Sequence, residues 1–404
     1  MSSNQQITNL KGFRDILPAD AKKREWLRAK TTTIFKKWGF EPMETPTLEP
    51  LELFAGQIGE DEKLFFNFTD NGGRRVALRY DQTVPTCRVL GQYQNELVFP
   101  FKRYQIQAAF RAEKPQKGRY REFTQCDADI FGVEGPTADA EVIALGLDIY
   151  RQLGFKRAQV LINDRSLLAD MPYEAIVAID KIKKIGQEGV IADMVKKGIK
   201  ETQARAYLEK VLNLKPNQTI QTILDYLKAC GFPEDWYAFE PTIARSFSYS
   251  MGPIWEIVIP ESSGGSVLGG ERFDGLVEKI TGRKIPGTGF GLGFDRTLEA
   301  AEEMGLVPDF AVTTQVLVAV FDDTSRPNAL EAAMAMRRAG VNVDVYPQTD
   351  KLAKQFKFAN KRAIPFVAII GEEEIRQKLI SLKDMVSGEQ QQLTLTQVIE
   401  KIQA

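Results

Sequence analysis

Two stretches between Phe101 and Phe131 alternate in step, and no other pattern in the chain leaves the backbone so few choices. Even positions Tyr104, Ile106, Ala108 and Phe110, then Thr124, Cys126, Ala128 and Ile130, are mostly apolar. The odd positions Gln105, Gln107, Arg111 and Glu113, then Gln125, Asp127 and Asp129, are polar. A period of two sends alternate side chains to opposite faces of a strand, so both stretches read as strands with one apolar face. The basic link Lys114-Pro-Gln-Lys-Gly-Arg-Tyr-Arg121 makes them an antiparallel pair. Taken alone, that link is a solvated hairpin tip. The polar face carries opposed charges, a mix that suits a ligand both anionic and cationic.

Around this pair the elements follow from spacing. Residues 19 to 38 carry Trp26, Leu27, Ile34, Phe35 and Trp38 as a helical stripe ending at Gly39. The Pro-rich segment 41–50 reads as extended, leading to a short helix. Leu64 to Phe68 and Arg75 to Arg79 flank the turn Asp70-Asn-Gly-Gly73 as a hairpin. Residues 136 to 153 are helical, and 164–235 read as short amphipathic helices without strands. Strand texture returns at 242–250 and 254–259. Gly287, Gly289, Gly291 and Gly293 then alternate into a helix start with Arg296 on it. Their spacing matches neither G-x-G-x-x-G nor G-x-x-x-x-G-K-[ST]. Such a row admits close approach by a packed helix or by a flat ligand such as a purine, with the Arg296 guanidinium in reach of a phosphate. From Val316 the order strand, helix, strand, helix, strand predicts a small α/β unit with a largely parallel sheet.

Composition limits the chemistry. At 404 residues the chain has room for two or three domains. Lys+Arg 53 against Asp+Glu 54 leaves a net charge of -1, so any polyanion is held by local patches. Cys87, Cys126 and Cys230 form no C-x-x-C pair, which excludes a disulfide framework or zinc ribbon and fits a reducing compartment. No run of about 18 apolar residues exists and the polar start resembles no signal peptide, so a cytoplasmic, non-membrane protein is expected. The chain has no histidine, which rules out Ser-His-Asp hydrolysis and His-ligated metals. Its chemistry has to run on carboxylates, arginines, lysines and backbone donors.

Several of these segments carry a resemblance. Phe110-Arg-Ala-Glu-Lys-Pro-Gln-Lys-Gly-Arg-Tyr-Arg-Glu-Phe-Thr-Gln-Cys-Asp-Ala-Asp129 resembles motif 2 of the histidyl-tRNA synthetases, within the class II aminoacyl-tRNA synthetases. Leu78-Arg-Tyr-Asp-Gln-Thr-Val-Pro85 resembles that family's amino-acid-binding segment, and Gly291-Leu-Gly-Phe-Asp-Arg296 its motif 3. Segments 244–256 and 269–275 resemble its two signature peptides, and the resemblance runs from about Gly12 onward.

The resemblance implies an α+β catalytic core, an antiparallel six-stranded sheet with flanking helices, over 1–163 and 236–312. It implies a helical insertion at 164–235 and an anticodon-binding α/β domain at 313–404. It implies ATP-dependent ligation of L-histidine to tRNA(His) through a histidyl-adenylate, with Mg²⁺ accompanying ATP, and a homodimer built through the segment Phe40 to Pro50. By resemblance Arg111 holds the α-phosphate and the substrate carboxylate, with Arg245 as a catalytic arginine in place of a protein-bound metal. Arg119 and Arg296 bind the outer phosphates, Glu113 reads the adenine and Phe123 stacks on it. Asp81, Gln82, Thr83 and Gln125 belong to the amino-acid pocket with Tyr249 and Ser250, and Asp129 faces the imidazole. An acceptor there can discriminate by about 10⁴, because the wrong amino acid leaves it unpaired.

The chain departs from the family pattern in both signature peptides, and Asp81 and Asp129 stand where family members often have Glu. R-G-L-D-Y-Y stands here as Arg245-Ser-Phe-Ser-Tyr-Ser250, and the Tyr of the second signature is Phe273, so two hydroxyl-bearing rings around the imidazole are missing. The alternatives are a non-catalytic synthetase-like regulatory subunit that senses histidine, and a different amino acid on the same scaffold. In the α/β unit, Lys351, Lys354, Lys357, Lys361 and Arg362 form a basic helix face that is either solvated or met by tRNA phosphates.

Overall fold

The computed structural model describes residues 7–55, 65–114, 120–244, 250–310, 312–320 and 322–403. The chain divides into two compact units, Met1–Pro308 and Asp309–Ala404. The first contains strands β1 (Glu41–Pro42), β2 (Leu48–Pro50), β3 (Asn67–Thr69), β4 (Arg75–Leu78), β5 (Phe101–Phe110), β6 (Glu122–Phe131), β7 (Gln159–Asp164), β8 (Tyr237–Phe239), β9 (Pro253–Val258), β10 (Ser266–Arg272) and β11 (Gly287–Gly293). Its helices are α1 (Pro18–Lys37), α2 (Thr83–Gln92), α3 (Pro136–Leu153), α4 (Tyr173–Ile179), α5 (Ile182–Lys196), α6 (Glu201–Leu212), α7 (Gln218–Ala229), α8 (Asp274–Thr281) and α9 (Phe294–Glu303).

The large sheet has the order β1-β5-β6-β11-β10-β9-β7-β8. Its six inner strands pair antiparallel throughout, as expected, and a short parallel strand is added at each edge. Residues Asn67–Thr69 and Arg75–Leu78 form the expected hairpin, whose turn is closed by Asp70 accepting from the Gly72 and Arg74 amides. The apolar even face of β5 and β6 packs against helices. Leu27, Ile34 and Phe35 of α1 and the buried stripe of α3 join Tyr104, Cys126, Ala128, Phe290 and Leu292 in one core. At Gly146 of α3 a Cβ would lie 3.0 Å from Ile257 and 3.2 Å from Leu268, so the missing side chain lets the helix lie close on the sheet. Cys87 and Cys126 are buried thiols and Cys230, at the end of α7, is exposed; none is in a disulfide.

Between 164 and 235 the packing is shared. Helices α4 to α6 have a core of their own, whereas Ile220, Ile223 and Leu227 of α7 join the core beneath the large sheet. Strand texture at 242–250 gives no strand among the described residues 241–244. Asn163 captures the carbonyls of Pro241 and Ile243 through its side-chain amide at 2.9 and 2.8 Å, so they are taken from any ladder. Residues 245–249 lie outside the described residues.

The second unit alternates as expected through β12 (Val316–Val318), α10 (Arg326–Arg338), β13 (Val343–Val345), α11 (Leu352–Lys361) and β14 (Phe366–Ile369), followed by α12 (Glu372–Gln377), β15 (Ile380–Asp384), β16 (Gln390–Leu393) and α13 (Leu395–Gln403). The order β13-β12-β14-β15-β16 is parallel across the first three strands and antiparallel beyond. Val316 and Val318 face a core with α10 and α13, and Leu317 a second core with Ala359 of α11.

Candidate active site

Cross-strand register assembles the polar odd face of β5 and β6 into rows. Arg103, Asp129, Gly289 and Glu271 stand opposite one another across β5, β6, β11 and β10. One row along lie Gln105, Asp127, Gly291, Gly269 and Glu256, the last on β9. The glycines are the floor of a cavity of about 400 Å³. They face this opening, while Thr288, Phe290 and Leu292 between them point to the helix side, where Thr288 donates to Asp139 of α3. The packed-helix alternative for the row therefore fails, because α3 lies on the other face. At Gly289 a Cβ would sit 1.8 Å from Asp129 Oδ1, so the carboxylate occupies the space a side chain would need.

The deepest part is acidic and buried. Arg103 is 0% exposed and contacts Asp129 directly as an ion pair. Burial pushes the Asp129 carboxyl up to about 6, with Arg103 pulling it down and Asp81 pushing it further up. Asp127 is raised well above the usual range, again by burial first, with Arg103 opposing and its acidic neighbours adding. Asp81, just ahead of α2, is raised by burial while accepting the Val84 amide and facing Arg111 and Arg103. Three carboxylates thus share one buried guanidinium with Arg111 nearby, an arrangement that a cationic group would complete. Gln125 donates to Asp127 at 2.9 Å, and Gln125 Oε1 and Asp127 Oδ1 are buried without a hydrogen-bond partner.

Toward the mouth the charge reverses. Arg111 sits between two rings, 4.4 Å from the centroid of Tyr80 and 4.9 Å from that of Phe123. Such stacking fixes the guanidinium plane without consuming its hydrogen-bond donors, and its buried Nε has no partner. Glu113 and Phe123 line the same cavity, as does Arg296, which donates to the Ser266 carbonyl at 2.9 Å. Arg14 and Arg24 both pair with Asp295, and Arg14 stacks on Tyr120 at 3.7 Å.

Of the residues expected from sequence, Asp81, Thr83, Arg111, Glu113, Phe123, Gln125, Asp129 and Arg296 line this cavity. Gln82 does not; it lies behind the wall, donating to the Gln107 and Gln125 carbonyls. Ser250 is buried beside the cavity and donates to Glu271. Arg119, Arg245 and Tyr249 lie outside the described residues. Sequence reasoning missed Arg103, which shares the odd parity of Gln105 and Gln107 and could have been found by extending that count. It also missed Glu256 and Glu271, whose place on this face depends on strand order.

Residues 12–188 match the family model for histidyl-tRNA synthetase, and residues 315–404 that for the anticodon binding domain. The histidine–tRNA ligase of Cytophaga hutchinsonii is 33% identical over 97% of this chain and 98% of its own. That of Wolinella succinogenes is 36% identical over 94% of each. A crystal structure of histidyl-tRNA synthetase from Nostoc sp. PCC 7120 aligns with a TM-score of 0.82 at 26% identity, covering 98% of this chain and 99% of that one. With identity above 30% carried along nearly its whole length, over a class II sheet and a cavity lined by its motif residues, this chain belongs to the histidyl-tRNA synthetase family.

Proposed function

We propose that this protein activates L-histidine with magnesium-bound ATP and passes the histidyl group to tRNA(His). The observation that carries this reading is the adjacency of two opposed environments in one cavity: buried carboxylates at the floor and a ring-clamped guanidinium, Arg111, at the mouth. A free amino acid offers an ammonium to the first and a carboxylate to the second. In this reading Asp81, Thr83 and Gln125 take the ammonium, Asp129 takes the imidazole, and Gln82 braces the wall.

A carboxylate oxygen of histidine forms a bond to the α-phosphorus as the bond to pyrophosphate breaks. A ribose hydroxyl at the tRNA 3′ end then attacks the acyl carbon, and AMP leaves. Negative charge gathers on the phosphoryl oxygens in the first step, so fixed cations are the main catalytic contribution. Arg111 and Arg245 serve the α-phosphate, and Arg119 and Arg296 the outer phosphates. Glu113 and Phe123 hold the adenine by its amino group and its ring. The unit from Asp309 reads the tRNA anticodon. A two-fold dimer through segment 40–50 is supported by the exposed apolar Leu48 and Phe68, on the two outer strands of the small sheet β2-β4-β3.

Pyrophosphate exchange with each of the twenty amino acids tests the reading. Exchange with histidine alone is expected. Exchange with another amino acid would move the substrate, and histidine binding without any exchange would favour the regulatory subunit.

A further inference from the structure

The family's two ring hydroxyls around the imidazole are absent here, yet the structure brings another group to the same wall. Strand β10 alternates so that Arg272 turns to the helix side, where it donates to Asp139 at 3.1 and 2.8 Å and to the Gly135 carbonyl at 2.8 Å. Its neighbour Glu271 therefore faces the cavity, 7% exposed. Glu271 accepts the Ser250 hydroxyl, which fixes the carboxylate in one orientation. It also lies within electrostatic reach of the Arg165 guanidinium.

The register sets what Glu271 faces. Glu271 pairs with Gly289, and Gly289 pairs with Asp129. Two inter-strand steps separate the acidic residues by roughly 10 Å at Cα, and the residue between them has no side chain. Asp129 leans into that gap, since its Oδ1 lies where a Gly289 Cβ would be. Both acidic residues line the same cavity, and an aromatic ring with a nitrogen at either side offers each of them one N–H to accept as a charge-assisted hydrogen bond.

We propose that Glu271, oriented by Ser250, is a specificity-determining residue of the amino-acid pocket. It faces Asp129 across Gly289, so that the two carboxylates grip both ring nitrogens of bound histidine and hold the ring as imidazolium. This rests on the histidine reading of the site. The missing ring hydroxyls are in effect replaced by a charged acceptor supplied from the sheet itself.

The test is pyrophosphate exchange with histidine, Nδ1-methylhistidine and Nε2-methylhistidine, each methyl group removing one of the two ring N–H donors. The parent protein should use histidine and reject both analogues. Glu271→Ala should raise KM for histidine about 10- to 100-fold, the usual range for a lost charged hydrogen bond, with kcat changed far less. It should also relax selectivity against one analogue, the one whose methyl group meets position 271, while the other stays excluded. Glu271→Gln, which keeps shape and an acceptor, should give a smaller rise in KM, and its thermal midpoint should match the parent's. An unchanged KM in both variants, or a Glu271→Ala protein that still excludes both analogues, would overturn the proposal. If the parent protein shows no histidine-dependent exchange, the histidine reading itself fails and this proposal falls with it, a result distinct from an active parent indifferent to position 271.

Discussion

Asp129 is harder to ionise in the folded chain than in the unfolded one, because burial outweighs the pull of Arg103. The folded state therefore holds the proton more tightly between the unfolded value of 3.8 and the folded value of about 6, and stability falls as pH rises through that window. The shift corresponds to about 3 kcal/mol, and Asp81 and Asp127, also raised, act in the same direction. Urea unfolding followed from about pH 4 to about pH 8 should show Asp129→Asn losing roughly 3 kcal/mol less than the parent across this range. Parallel curves would refute the assignment. Arg103→Met would remove the countercharge and leave Asp129 protonated at neutral pH. KM for histidine should then rise at least about tenfold, with KM for ATP unchanged; a rise in both would mean general loss of the fold. At this scale the sequence was informative wherever parity was counted. Asp127 and Asp129 were placed on the polar face by alternation alone, but that both are buried could not be read from it. Glu271 was invisible for a different reason, since nothing local says that β10 lies two strands from β6.

Strand β11 shows how an element with glycine at every other position can be a specific structure. At Gly289 there is no room for a side chain on the cavity face, because the Asp129 carboxylate already fills the space. Gly289→Ala should cost about 1–3 kcal/mol by overpacking and abolish exchange, whereas Gly264→Ala, whose Cβ would have its nearest neighbour at 3.6 Å, should leave both unchanged. Thermal unfolding and pyrophosphate exchange on the two variants decide the matter, and an active Gly289→Ala would contradict the steric argument. The hairpins and long helices follow directly from spacing: α3 begins and ends where the Pro-Thr start and the apolar stripe put it. Residues 242–244 alternate as a strand would and yet form none, because Asn163 claims the carbonyls of Pro241 and Ile243. Periodicity reports which side chains could share a face, not which backbone groups are already bonded.

At the scale of the whole molecule the two units have separate hydrophobic cores. The amphipathic pattern of α7 told that one face is buried but not against what, so its place in the large core rather than with α4 to α6 emerged only from packing. In the second unit, the basic face of α11 is partly neutralised: Lys354 pairs with Asp350 and Arg362 with Asp344, while Lys351, Lys357 and Lys361 are exposed. Reversing those three charges should raise KM for tRNA and flatten its salt dependence, with histidine-dependent exchange left unchanged. Unaltered aminoacylation would mean the stripe is merely solvated. The cysteines have a practical consequence at this scale. With Cys87 and Cys126 sealed inside and Cys230 at the surface, a maleimide dye would attach at one position without any thiol having to be engineered away. The unmodified enzyme could then carry a single fluorescent reporter on its larger unit.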